Sequence, residues 1–66
     1  MASTWQRVLA TAKVVLQLYG VGTASTSEHE AIELVRNLDK YQRQQLEQRL
    51  QYDGDSDGAA WVSRNS

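Results

Sequence analysis

The sequence predicts an all-α fold, a small bundle of two to three helices. Apolar residues recur at intervals of three and four along the first part of the chain, as they do on one face of a helix. N-capping residues stand at Ser3, Ser27 and Asp39, each three residues before a Gln or Glu. The sequence contains no alternation of apolar and polar residues long enough to indicate a strand.

The size and composition limit what this chain can be. Its 66 residues form one small domain at most. Without any Cys it has neither disulfides nor a thiolate zinc site. A formal charge of −1 argues against non-specific binding of nucleic acid, which depends on a basic surface. Since a chain this short rarely forms its own substrate cleft, we expect a protein without catalytic activity and without a cofactor.

The first predicted helix covers about residues 4–19, from the Ser3–Gln6 capping box to a C-terminal stop at Gly20. Its expected buried face consists of Trp5, Val8, Leu9, Ala12, Val15, Leu16 and Tyr19. Val14 and Leu18 lie away from this face. Either these two side chains are buried by other helices of the same small core, or they contact a second molecule.

The second predicted helix covers about residues 27–38 and follows a flexible polar connection at 20–27. It begins at Ser27, three residues before Glu30. Its expected buried positions are Ala31, Ile32, Val35 and Leu38, with Leu34 beside them.

The third predicted helix covers about residues 40–52. Asp39, three residues before Gln42, is a capping signal within helical sequence and favours a break there. A single helix from 27 to 52 is the alternative. The apolar positions of this part are Tyr41, Leu46 and Leu50.

Residues 53–66 are expected to form a flexible acidic tail outside a single helical domain of residues 1–52. Asp53, Asp55 and Asp57, followed by Gly58, match the first half of a calcium-binding loop, in which alternate residues supply oxygen ligands. Arg64 stands where such a loop has a bidentate Glu. Calcium is therefore only a weak candidate, and a solvated acidic linker is the alternative.

The pattern indicates a small regulatory or adaptor protein that binds another protein through its helices, as a homodimer or with a larger partner. The predicted partner-binding residues are Val14, Leu18 and Trp61. Trp61 follows the acidic segment and has two interpretations. It either folds back onto the helices or serves as an anchor in a pocket of the partner, where Trp is enriched.

An alternative function is that of a dimeric, helix-turn-helix-like DNA-binding regulator. Arg36, Lys40 and Arg43 lie along one helical stripe with several Gln residues around it, and Arg and Gln read base edges in the major groove. Asp39 and Glu47 reduce the positive charge of this stripe. Nucleic acid is therefore the less favoured partner.

The first helix does not indicate a membrane protein. Lys13 and Gln17 interrupt the apolar run, so no uncharged stretch of about 18 residues exists to span a bilayer. Lys13 also argues against a signal peptide. The helix lacks the Lys- and Arg-rich face of helices that lie on membrane surfaces. We expect a cytoplasmic protein.

Overall fold

The computed structural model describes residues 2–18 and 27–66, and within these ranges the chain forms four α-helices and no strand. They are α1 (Thr4–Val15), α2 (Glu28–Arg36), α3 (Lys40–Tyr52) and α4 (Ser56–Asn65). The all-α prediction is confirmed, whereas the expected number of two to three helices is too low. The predicted connection at 20–27 lies outside the described residues except for Ser27.

Helix α1 begins as predicted but ends earlier. The Ser3 backbone N–H donates to Oε1 of Gln6 at 2.8 Å. At the other end, Gln17 has a left-handed φ of 55°, and the Leu18 N–H donates to the Lys13 carbonyl at 3.2 Å. This bond closes the last turn as in a Schellman motif. The helix therefore stops at Val15 with Gln in a position that usually holds Gly.

Asp39 separates α2 from α3. The Gln42 N–H donates to Oδ1 of Asp39 at 2.7 Å, and the Asp39 N–H donates to Oε1 of Gln42 at 3.1 Å. This reciprocal capping box begins a new helix, so the predicted break at Asp39 is confirmed and a single helix over 27–52 is excluded. Ser27 caps α2 by accepting from the Glu30 N–H at 3.3 Å.

The expectation of a flexible acidic tail at 53–66 is wrong, because α4 occupies most of it. Gly54, with a φ of 79°, ends α3. Its N–H donates to the Gln51 carbonyl at 3.0 Å, and the Asp55 N–H donates to the Leu50 carbonyl at 2.8 Å. Asp55 then caps α4 by accepting from the Gly58 N–H at 3.0 Å. The Asp- and Gly-rich sequence thus holds a helix end followed directly by a helix start.

All four helices contribute to one core. Its buried side chains are Val8, Leu9 and Ala12 of α1, Ala31 and Val35 of α2, Leu46 and Leu50 of α3, and Ala59, Trp61 and Val62 of α4. Helix α4 packs against each of the other three, whereas α2 and α3 make little contact with one another. The core therefore extends across the expected boundary at residue 52. Over the described ranges, no helix is both long and apolar enough to cross a membrane.

Candidate protein-binding surface

An exposed apolar side chain lies beside a hollow on the outer side of α1. Val14 is 69% exposed. The hollow has a volume of about 180 Å³, and the residues around it include Ala10, Thr11 and Val14 of α1, Arg49 near the end of α3, and Asp53. We call these five residues the Val14 face.

The geometry of α1 explains why Val14 points to solvent. Successive residues of an α-helix are rotated by about 100°, so Val14 lies about 200° around the helix from Ala12. Ala12 is fully buried in the core, as are Val8 and Leu9. Burial of one side of α1 therefore directs Ala10 and Val14 outward.

Arg49 and Asp53 form the polar side of the Val14 face. Nε of Arg49 lies 3.3 Å from Oδ2 of Asp53, one helical turn further along. The Arg49 guanidinium also lies 5.9 Å from the centroid of the Tyr52 ring, which is a cation–π distance. Tyr52 is 85% exposed. The hollow is thus lined by a neutral ion pair, whose Arg49 also lies near an exposed aromatic ring.

A second hollow of about 470 Å³ continues from the first towards the start of α4. The two share Ala10, Thr11 and Asp53, so they form one groove between α1 and the corner that joins α3 to α4. Arg7 and Asp55 line its far part. This groove is therefore a continuous concave feature beside an exposed apolar side chain.

Hydrogen bonds between Arg7 and Asp55 link α1 to the N-cap of α4. Nε of Arg7 donates to Oδ2 of Asp55 at 3.1 Å, and Nη2 donates to Oδ1 at 3.2 Å. The hydrogen bond from Arg7 lowers the pKa of the Asp55 carboxyl, and the bond from the Gly58 N–H acts in the same direction. Asp55 in turn raises the pKa of Arg7 through this hydrogen bond. The pair is therefore charged at neutral pH and fixes one wall of the groove.

Of the three predicted partner-binding residues, only Val14 is exposed. Leu18 is half-buried and packs against the core, because α1 ends at Val15 and the chain turns at Gln17 before reaching it. Trp61 is 5% exposed and lies in the core. It folds back onto the helices, so the structure does not present it as an anchor for a partner.

Two of the three aspartates of the calcium hypothesis have other roles. Asp53 pairs with Arg49, and Asp55 pairs with Arg7 while capping α4. A calcium loop of this type turns sharply at its Gly, yet Gly58 is helical and the left-handed residue is Gly54. In residues 2–18 and 27–66, no group of three or more His, Asp or Glu is placed to hold a metal ion. This arrangement does not fit the calcium candidate.

The three cationic residues of the DNA-binding alternative lie around the turn between α2 and α3. Arg36 is the last residue of α2 and Lys40 is the first of α3, and both are exposed, whereas Arg43 is half-buried. A helix-turn-helix unit places its second helix through its packing against the first. Since α2 packs against α1 and α4 and hardly against α3, this support is missing.

Comparison with known proteins found no matching protein family, no matching curated protein and no matching solved structure.

The position of Arg49 beside Val14 was not predicted from the sequence. No role in a protein-binding surface was predicted for Arg49 or Tyr52. A signal for the pair existed, because Arg49 and Asp53 have the spacing of neighbours on one helix face. Their position beside Val14 depends on how α1 packs against α3, which helix periodicity does not reveal.

Proposed function

We propose that this chain is a small, non-enzymatic regulatory or adaptor protein that binds another protein through the Val14 face. The observation that carries the proposal is the exposed Val14 side chain of α1 beside a hollow that is lined by residues of α1 and α3. Both helices are held by the same core. A partner that covers Val14 removes an apolar side chain from water. Full burial of such a side chain contributes about 1.5–3 kcal/mol.

The residues around Val14 also favour protein binding. Tyr and Arg are enriched in protein interfaces and among the residues that dominate binding energy. Arg49 is held by Asp53 and lies against the ring of Tyr52. A side chain that is already ordered loses less conformational entropy when a partner binds. Arg49 and Tyr52 are therefore suited to the rim of an interface centred on Val14.

Site-specific crosslinking tests this function. A photo-crosslinking amino acid is placed at position 14 of the full chain, in the cells from which the sequence comes. Position 41 is the matched control, because Tyr41 is 68% exposed and lies about 12 Å along α3 from Arg49 at 1.5 Å per residue. We expect a discrete crosslinked protein from position 14 and none from position 41. A chain without a crosslink at position 14 would contradict the proposal.

We also propose that the chain acts in the cytoplasm. This part rests on Lys13, which interrupts the apolar run of the first helix and is poorly compatible with a secretion signal. Cell fractionation with an antibody against the chain should find it with cytoplasmic markers. Recovery with the membrane or secreted fraction would contradict this location.

A further inference from the structure

Two Asp-Gly sequences lie at the corner between α3 and α4, Asp53–Gly54 directly after α3 and Asp57–Gly58 in the first turn of α4. We propose that Asp53 is a site of spontaneous isomerisation to isoaspartate in the folded chain, and that the fold protects Asp57 from the same reaction. Asp-Gly sequences are especially prone to it, because Gly has no side chain to hinder attack by its own backbone nitrogen.

The reaction at Asp53 needs no enzyme and no reactant other than water. The Gly54 nitrogen forms a bond to Cγ of Asp53 and the C–OH bond of the protonated carboxyl breaks, so that the hydroxyl leaves as water with the proton of the N–H. Hydrolysis of the resulting five-membered succinimide breaks one of its two bonds between nitrogen and a carbonyl carbon. Cleavage at Cγ restores Asp53. Cleavage at the backbone carbonyl carbon leaves the chain connected through Cγ, as isoaspartate of unchanged mass.

Both Asp-Gly sequences are held in conformations that do not react. Closure of the ring requires the Asp to rotate about its Cα–C bond and the Gly N–H to be released. Asp53 has φ −78° and ψ 0°, and the Gly54 N–H donates to a carbonyl of the last turn of α3 at 3.0 Å. Asp57 is helical, and the Gly58 N–H donates to Oδ1 of Asp55 at 3.0 Å. Each site therefore reacts only after it opens locally, and the ease of opening decides which aspartate is modified.

Opening at Asp53 disturbs few contacts. Oδ2 of Asp53 lies 3.3 Å from Nε of Arg49 in an exposed ion pair, and such pairs contribute little to stability. Gly54 is exposed, and a Cβ built on it would meet nothing within 4 Å. Since Gly also adopts a wide range of backbone angles, the peptide between the two residues can turn without a clash.

Opening at Asp57, by contrast, disrupts the packing of α4. Gly58 is buried, and a Cβ built on it would lie 2.7 Å from Oδ2 of Asp55 and 3.1 Å from Cδ2 of Leu50. The carboxylate of Asp55 is itself held by two hydrogen bonds from Arg7. Release of the Gly58 N–H therefore breaks the cap of α4 and moves buried backbone away from α3.

Isoaspartate at position 53 would change the corner that positions α4. It adds one methylene group to the backbone and leaves the free carboxylate directly on Cα. In the unmodified chain the Asp55 N–H donates to the Leu50 carbonyl at 2.8 Å. A longer backbone between these two groups does not preserve this bond, so the modified chain should be less stable than the unmodified one.

Ageing of the intact, folded chain tests the proposal. The purified protein is kept for several weeks at body temperature and mildly acidic pH, with circular dichroism to confirm that it stays folded. Peptide mass spectrometry with electron-transfer fragmentation, which distinguishes isoaspartate from Asp, then measures both sites. We expect roughly tenfold more isoaspartate at position 53 than at position 57. Equal levels at the two positions, or none at position 53, overturn the proposal.

Asp53→Glu is the matched control, because it keeps the charge but cannot form the five-membered ring. This variant should show no isomerised residue at position 53 and the same low level of isoaspartate at position 57. A rise at position 57 in this variant would show that Asp53, rather than the packing of Gly58, protects Asp57, and would overturn that part of the proposal.

The chain denatured in guanidinium chloride tests whether the fold causes the difference. Both aspartates precede Gly, so we expect similar amounts of isoaspartate at positions 53 and 57 once the fold is lost. A preference for position 53 that persists unchanged in the denatured chain overturns the protection of Asp57 by the fold. The isomerised chain, separated by ion exchange, should also unfold at a lower urea concentration than the unmodified chain. An unchanged midpoint would overturn the expected effect on the corner.

Discussion

The ends of α1 and α3 form the same kind of turn with different residues. At both ends a left-handed residue comes after the C-cap, and the next N–H closes back onto the helix, from Leu18 to Lys13 and from Asp55 to Leu50. The end of α3 places Gly54 at the left-handed position, whereas the end of α1 places Gln17 there. A residue with a side chain loses roughly 1–2 kcal/mol in this conformation, and Gly does not.

The difference shows that a turn can be stabilised either by its own residues or by the tertiary contacts of the next residue. At the α3–α4 corner, Gly54 removes the backbone strain and Asp55 caps the next helix. At the end of α1, the strain at Gln17 remains, but Leu18 reaches the core and packs there. Apolar contact by the residue after the turn is a common companion of this motif. The α3–α4 corner thus avoids backbone strain through its own Gly54, whereas the end of α1 offsets the strain by packing of Leu18.

The largest expected effect on stability comes from Asp55→Ala at the α3–α4 corner. It removes the cap of α4 and both hydrogen bonds from Arg7, and we expect a loss of about 2–3 kcal/mol in the free energy of unfolding. Urea unfolding measures this loss. Asp53→Ala is the matched control, because its pair with Arg49 is exposed and worth roughly 0.5 kcal/mol. Equal losses in the two variants would show that the corner does not depend on Asp55.

Gly58→Ala tests how closely this corner is packed. Ala is favoured over Gly in helix interiors by about 1 kcal/mol. A Cβ at position 58, however, would lie 2.7 Å from Oδ2 of Asp55 and 3.1 Å from Cδ2 of Leu50. We therefore expect a net loss of about 1–2 kcal/mol, since the capping carboxylate must move. A thermally more stable Gly58→Ala variant would contradict the close approach of Asp55.

Gly54→Ala isolates the backbone contribution. A Cβ at position 54 meets nothing within 4 Å, so only the φ of 79° opposes it. We expect a loss of about 1 kcal/mol in the free energy of unfolding. Introducing Ala at the end of α1, by Gln17→Ala, should change stability little, because that position already holds a side chain. Denaturation of the two variants side by side measures the difference, and equal losses would contradict it.

Gln17→Gly should raise stability, by about 0.5–1 kcal/mol. Gly relieves the left-handed strain at this position, and the larger freedom of Gly in the unfolded chain offsets part of the gain. The midpoint of urea unfolding should therefore move upward. A downward shift would mean that the Gln17 side chain contributes more than its backbone strain costs.

The smallest effect concerns pH, because solvent screens the partly exposed Arg7–Asp55 pair. Arg7 holds the pKa of Asp55 below its ordinary value in the folded chain. The stabilisation is therefore complete above the ordinary Asp pKa, about 3.9, and is lost as pH falls through the lowered value. Urea midpoints between pH 7 and pH 2.5 should fall less for Asp55→Asn than for the unmodified chain. Parallel curves would exclude this contribution.

Much of the fold could be predicted because its signals are local. The capping residues Ser3 and Asp39 and the spacing of apolar residues in α1 and α2 identify helix starts and buried faces. Helix α4 escaped prediction because Gly58 and the neighbouring aspartates are typical of loops. A helix of this length is marginal alone and is stabilised by packing, here through Trp61 and Val62.

The candidate site was predictable only in part, because part of it depends on how the helices pack. The exposure of Val14 follows from its angle on α1. The burial of Leu18 does not, because it depends on α1 ending at Val15, and Gly20 was the better candidate for a stop. Tyr41 was expected among the apolar positions of α3 and is exposed. Such outcomes depend on tertiary packing rather than on the residues nearby in sequence.

The Arg7–Asp55 pair joins residues 48 positions apart, and this has a consequence for how the chain is made. Ribosomes add roughly 5–20 residues per second, so Arg7 exists for about 2–10 s before Asp55 is synthesised. Trp61 and Val62, which complete the core, come later still. Throughout this interval the apolar face of α1 lacks its α4 neighbour. The core must therefore remain unfinished, with that face uncovered, until α4 has been translated.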